Sequence, residues 1–118
     1  MIHAKPGNLV AVLADGRYYY AVVLKSLLPA ARGHWCFVFH RTSEYLLSAS
    51  EVLNEKGSGF YDLVDFIWAK RENRLIRIAE NVEIKSFAPL IPLASQQYQC
   101  ISDTILIQRV HQSMWQVS

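Results

Sequence analysis

Residues 9–24 read LVAVLADGRYYYAVVL, and the Asp15-Gly16 pair at their centre limits what the chain can fold into more than any other feature. An Asp-Gly step between two β-prone runs is the signal of a type I′ hairpin, because both central residues must take positive φ. The turn also sets the register. Leu13 faces Tyr18, Ala11 faces Tyr20 and Leu9 faces Val22, while the opposite face pairs Ala14 with Arg17, Val12 with Tyr19 and Val10 with Ala21. Both faces are largely apolar, whereas a hairpin wet on one side alternates apolar with polar residues. This ribbon therefore curls into a barrel, is covered on both faces, or offers one face to a partner. Small Ala11 opposite large Tyr20 suits a curved sheet.

The rest of the chain supplies further strands. Lys5-Pro6-Gly7-Asn8 is a turn-rich approach to the hairpin. Residues 35–40, WCFVFH, read as a third strand with Trp35, Phe37 and Phe39 on a core face and His34, Cys36, Val38 and His40 on the other. Residues 43–56 suit a short helix or an irregular segment. Ser50 is followed three residues later by Leu53, so no capping box starts at Ser50. Phe60, Leu63, Val64, Ile67 and Trp68 are spaced by threes and fours, which favours a helix turn in 60–69, but Phe66, Ile67 and Trp68 equally suit a strand, so residues 43–70 stay open between the two. Residues 74–79 alternate as a strand behind a turn at Asn73, and Val82, Ile84 and Phe87 form a short extension. Pro89 and Pro92 punctuate a link to a final pair of short strands in 98–110. The expected architecture is a single domain over residues 1–118. It is mainly β: a small twisted antiparallel sheet or SH3-like barrel with one or two short helical insertions.

Composition narrows the function classes. The 118 residues are 52% hydrophobic and 19% charged, a globular balance that argues against disorder. A net charge of +2 is too small to imply nucleic acid or an anionic membrane on its own. No apolar run approaches the roughly 20 residues that span a bilayer. Two cysteines, Cys36 and Cys100, are too few for a disulfide framework, and no secretory signal precedes them. The expectation is a cytoplasmic protein with reduced thiols and no cofactor.

His34, Cys36 and His40 carry metal-ligand chemistry, but on an extended strand residues 34 and 40 stand roughly 20 Å apart. Only His34 with Cys36, or a bent strand, can share a zinc ion, and no metal site is expected. Neither cysteine has the neighbourhood of a nucleophile activated by histidine. The glycines sit at turns, and no phosphate loop, HExxH or GxSxG is present. An enzyme with an unrecognised site remains a rival reading only.

Charge is locally segregated. Over residues 51–65 the acids Glu51, Glu55, Asp62 and Asp65 are offset by Lys56 alone, and Lys70, Arg71, Arg74 and Arg77 then follow with Glu72 among them. The basic group beside Trp68 suggests a clamp for single-stranded nucleic acid. The competing reading is a charged strand edge that resists edge-to-edge association, and nucleic acid is the weaker alternative. Tyr18, Tyr19 and Tyr20 cannot all face one way. With Tyr18 and Tyr20 in the core, Tyr19 is the surface residue, of a type common in binding hot spots.

The stretch KPGNLVAVLADGRYYYAVVL, residues 5–24, resembles the opening of immunity-protein family twenty-six of bacterial polymorphic toxin systems. Residues 65–84, DFIWAKRENRLIRIAENVEI, resemble a later part of that family, with Trp68, Ile76 and Ile78 in place of its Trp-x-Ile-Ile-Gly strand. Asn8 stands where an Asp is common, and no Gly follows Ile78. The resemblance implies a cytoplasmic, non-enzymatic protein that binds a cognate toxin domain and occludes its active site. A nuclease toxin is commonly basic, so Glu51, Glu55, Asp62 and Asp65 become its contact surface, with Tyr19 or Trp68 as the aromatic anchor. The rival nucleic-acid reading would use Arg71, Arg74 and Arg77.

Overall fold

The hairpin forms as its turn dictates. In the computed structural model, which describes residues 4–26, 33–55, 58–87 and 101–102, Asp15 has φ 51° and Gly16 φ 74°. β1 (Leu9–Ala14) pairs with β2 (Arg17–Ser26) in the register expected from the sequence, Leu13 on Tyr18 through Leu9 on Val22. The approach is a second tight turn. Asn8 N donates to Lys5 O at 3.0 Å and Gly7 has φ 87°, the pattern of a type II turn with Pro at its second position.

The chain continues as β3 (His34–Ser43), α1 (Ala49–Leu53), β4 (Gly59–Asp65), α2 (Ile67–Arg71), β5 (Leu75–Ala79), a 3-10 turn (Ile84–Phe87) and β6 (Ile101–Ser102). The strands form one sheet in the order β5-β1-β2-β3-β4-β6. Its first five strands are antiparallel, and β6 joins β4 in parallel. The fold is mainly β with two short helices, as the pattern of the sequence implied.

Each face of the sheet carries a buried apolar cluster. One packs Val10, Val12, Tyr19, Ala21, Val23, Cys36, Val38, Val64 and Leu75 against Phe66 and Ala69. The other packs Leu9, Ala11, Tyr20, Val22, Trp35, Phe37, Phe39 and Leu63 against Val52 of α1 and Phe87 of the 3-10 turn. This answers the unusual hairpin, whose two apolar faces are each covered from within the chain. It also corrects the expectation for Tyr19, which is only 2% exposed. Tyr18 is the half-buried member of the three.

Residues 60–69, open between helix and strand from the sequence, contain both. Phe60 to Asp65 continue β4 beside β3, and a helix begins only at Ile67. The threefold and fourfold spacing is produced by a strand buried on both faces that runs into a helix. α2 ends in a Schellman motif: Asn73 has φ 57°, its N–H donates to Lys70 O, and Arg74 N donates to Ala69 O at 2.8 Å. α1 is capped by a box that lies two residues before the serine considered above. Ser48 Oγ accepts from Glu51 N, and Glu51 Oε1 accepts from Ser48 N.

β2 and β3 fall out of step at one place. Tyr19 pairs with Thr42 and Ala21 with Val38, so Phe39, His40 and Arg41 stand opposite Tyr20 alone. Such a bulge bends the strand and re-aims side chains.

Candidate partner-binding surface

Two helical corners carry the exposed groups of interest. At the first, Trp68 of α2 is 55% exposed, and the Arg71 guanidinium lies 5.4 Å from its ring centroid. The helix holds both because residues three apart share a face. Arg71 is the last residue of α2.

The other two arginines of that group face intramolecular partners. Arg74 Nη2 meets Glu72 Oε1 at 2.6 Å and its Nη1 donates to Leu13 O at 3.1 Å. Arg77 pairs with Glu80 at 3.2 Å. The three arginines do not converge on one groove; Arg74 is spent on joining β5 to β1.

The four carboxylates also have separate settings. Glu51 and Glu55 belong to the α1 corner. Glu51 is exposed and serves the capping box, and Glu55 pairs with Arg41 at 3.5 Å. Asp65 Oδ1 accepts from Ile67 N at 3.0 Å and so starts the chain into α2. Asp62 stands on β4 opposite Cys36, is 4% exposed, and accepts from Leu63 N at 2.9 Å. Of these four acids Asp62 is buried, Glu55 and Asp65 are half-buried and Glu51 is exposed, as is Glu44, which sequence reasoning passed over. Glu44 lies 3.8 Å from Arg17.

The loop between β3 and α1 carries two further residues that the sequence reading missed. Tyr45 is 80% exposed and Leu46 46%. Their backbone is held by Tyr20, whose ring is buried and whose hydroxyl projects to the loop. Leu47 N donates to Tyr20 Oη at 2.9 Å, Tyr20 Oη lies 2.6 Å from Ser43 Oγ, and Ser43 Oγ donates to Tyr45 O at 2.6 Å.

His34, His40 and Cys36 are committed to local contacts. His34 Nδ1 is 2.8 Å from Ser26 Oγ, His40 Nδ1 is 3.0 Å from Ser58 Oγ, and Cys36 Sγ donates to His34 O. Burial, reinforced by Lys70 and opposed by Asp65, lowers the His34 pKa. Burial raises the Tyr19 phenol, with Arg17 opposing. Among the described residues no group of three metal-ligating side chains comes together, and no helix is long and apolar enough to cross a membrane. Cys100 lies outside the described residues.

Comparisons with protein-family models, with curated proteins and with solved structures found no match to this chain.

Proposed function

We propose that this protein is an immunity-type inhibitor that binds a cognate bacterial toxin domain in the cytoplasm and covers its active site. The observation that carries the reading is Trp68, a large aromatic side chain left in solvent on a short helix and flanked by Arg71. Tryptophan and arginine are the residue types that most often dominate binding energy at protein interfaces. The resemblance of residues 5–24 and 65–84 to immunity-protein family twenty-six supplies the class of partner. Glu51 and Glu55 supply an acidic flank suited to a basic nuclease, since opposite potentials speed encounter and fix orientation. Asp62 and Tyr19, both buried, act through the fold.

The test is to identify the gene immediately upstream and, where it encodes a toxin domain, to co-express the two and titrate the purified pair. Neutralisation and tight binding by the wild type, weakened by Trp68→Ala, support the reading. Survival of toxicity in the presence of well-expressed wild-type protein discards it. For the acidic flank, the informative variant is Glu51→Gln with Glu55→Gln. Glutamine keeps the capping box, so the loss of charge is separated from loss of the helix. An unchanged salt slope of binding removes the acids from the interface.

The nucleic-acid alternative rests on the Arg71–Trp68 pair as a stacking platform. It is weaker because Arg74 and Arg77 each meet an internal carboxylate. Salt-steep binding of single-stranded RNA by the isolated protein would reverse that order.

A further inference from the structure

We propose that His34 makes the seating of α2 on the sheet sensitive to acid: a proton on its imidazole loosens the helix that displays Trp68 and Arg71, while the strands beneath stay paired. This property belongs to the fold and holds whether or not Trp68 meets a partner.

The imidazole is enclosed at one end of the sheet. His34 opens β3, Ser26 closes β2 beside it, and Val64 of β4 stands opposite. His34 is 6% exposed. Its Nδ1 lies 2.8 Å from Ser26 Oγ, and its ring centroid lies 5.8 Å from that of Phe66, the N-cap residue of α2. Lys70 sits one turn further along that helix, its N–H donating to Phe66 O at 2.9 Å. Burial first, and the Lys70 ammonium second, oppose a charge on His34, while Asp65 favours one. The Asp65 carboxylate already accepts from Ile67 N at 3.0 Å. Further along the same face come Cys36 on β3, Asp62 opposite it on β4 and Tyr19 on β2. Lys25, before Ser26 on β2, is exposed. β6 brings Ile101 and Ser102 beside Val64 and Asp65 and adds no charge.

A buried charge must regain water or a counter-ion, and α2 is the neighbour that can yield. The His34 backbone is paired to β2 on one side and β4 on the other. α2 is five residues long and has no side-chain bond at its N-cap. A helix that short holds through packing rather than through its own hydrogen bonds, and its packing is made by Phe66 and Ala69. Lifting it gives the imidazolium water and takes the Lys70 ammonium away. Linkage sets the direction. With α2 lifted, His34 titrates near its ordinary value of about 6.5; with α2 seated it titrates lower. The lifted form therefore takes up the proton first. Its share grows as pH falls, by at most about tenfold per pH unit, until the seated form is protonated too. Phe66 is a buried ring, so the lifted form stays a minority and is read by exchange rather than by a change in the mean structure.

The experiment is amide hydrogen exchange of the full chain between about pH 7.5 and about pH 5, corrected for the intrinsic pH dependence of exchange, on the wild type and His34→Gln. The reporters are the amides of Lys70, Glu72 and Arg74, which bond back to Phe66, Trp68 and Ala69. The reference is the set of hairpin amides in β1 and β2. In the wild type the α2 amides should open more readily than the hairpin amides at every pH, and their opening should rise about fivefold or more across the range. His34→Gln should flatten that rise. Equal protection of the α2 and hairpin amides, or an α2 opening that ignores pH, overturns the proposal. So does a rise that His34→Gln leaves in place. Should that variant fail to fold, the wild-type ring decides. Followed by the NMR shift of its Cε1 proton, His34 must titrate below the ordinary value, and titration at or above that value overturns the proposal.

Discussion

Leu13 and Arg74 exchange two hydrogen bonds across the edge of the sheet: Leu13 N donates to Arg74 O at 2.9 Å, and Arg74 Nη1 donates back to Leu13 O at 3.1 Å. Glu72 steadies the guanidinium from the other side. A residue that looks from sequence like part of a ligand clamp thus closes β5 onto β1. Arg74→Ala should therefore cost about 1–2 kcal/mol in urea unfolding, with Arg71→Ala much closer to neutral. Equal and small effects for the two would remove the structural role of Arg74.

Gly59 opens β4 opposite Phe39. A Cβ there would overlap Val38 O and lie 2.5 Å from Phe37 Cζ. The backbone carbonyl cannot step aside as a flexible side chain can. Gly59→Ala should destabilise by about 3 kcal/mol, visible as a large drop in the denaturation midpoint. A variant as stable as the wild type would show that β3 and β4 are not packed this closely.

The capping box makes α1 sensitive to a single hydroxyl. Ser48→Ala removes the acceptor for Glu51 N and should cost about 1 kcal/mol. Glu51→Gln, which preserves the reciprocal bond to Ser48 N, should cost less. The reverse order in chemical denaturation would mean that the charge of Glu51 matters more than its geometry.

His34 makes stability depend on pH in a defined direction. Its folded pKa lies below the ordinary 6.5, chiefly through burial and secondarily through Lys70, with Asp65 pulling the other way. The unfolded chain therefore takes up this proton first as pH falls. The contribution of neutral His34 is complete above about pH 6.5 and is lost as pH drops toward the folded value. Between pH 7.5 and pH 5 the wild type should lose more stability than His34→Gln. Parallel pH profiles would assign the loss to other groups.

What could be read from the residues follows from how local each signal is. Asp15-Gly16 fixed a register because a two-residue turn leaves no slack. Asn73 marked the start of β5 for a related reason, a positive φ that few residues tolerate. Tyr19 lies inside, against the expectation from the sequence, because neither side of the sheet is left wet at its position. Once both sides are covered, alternation no longer separates inside from outside. The same double burial hid β4: Tyr61 and Leu63 fill one face while Phe60 and Val64 fill the other, and the run into α2 imitates a helical period. The Ser48 box is written in the sequence as a Ser-x-x-Glu spacing, two residues ahead of Ser50. Of the candidate site, Trp68 and Glu51 are exposed as a surface role requires. Tyr45 and Leu46 had no local mark, because their exposure depends on Tyr20, more than twenty residues earlier in the chain.

The hold that Tyr20 exerts ends on main-chain atoms, the amide of residue 47 directly and the carbonyl of residue 45 through the Ser43 hydroxyl. The identities of the side chains at positions 44, 45 and 46 are therefore uncoupled from the shape of the segment that displays them. Three adjacent residues can be rewritten while the underlying architecture is left as it stands.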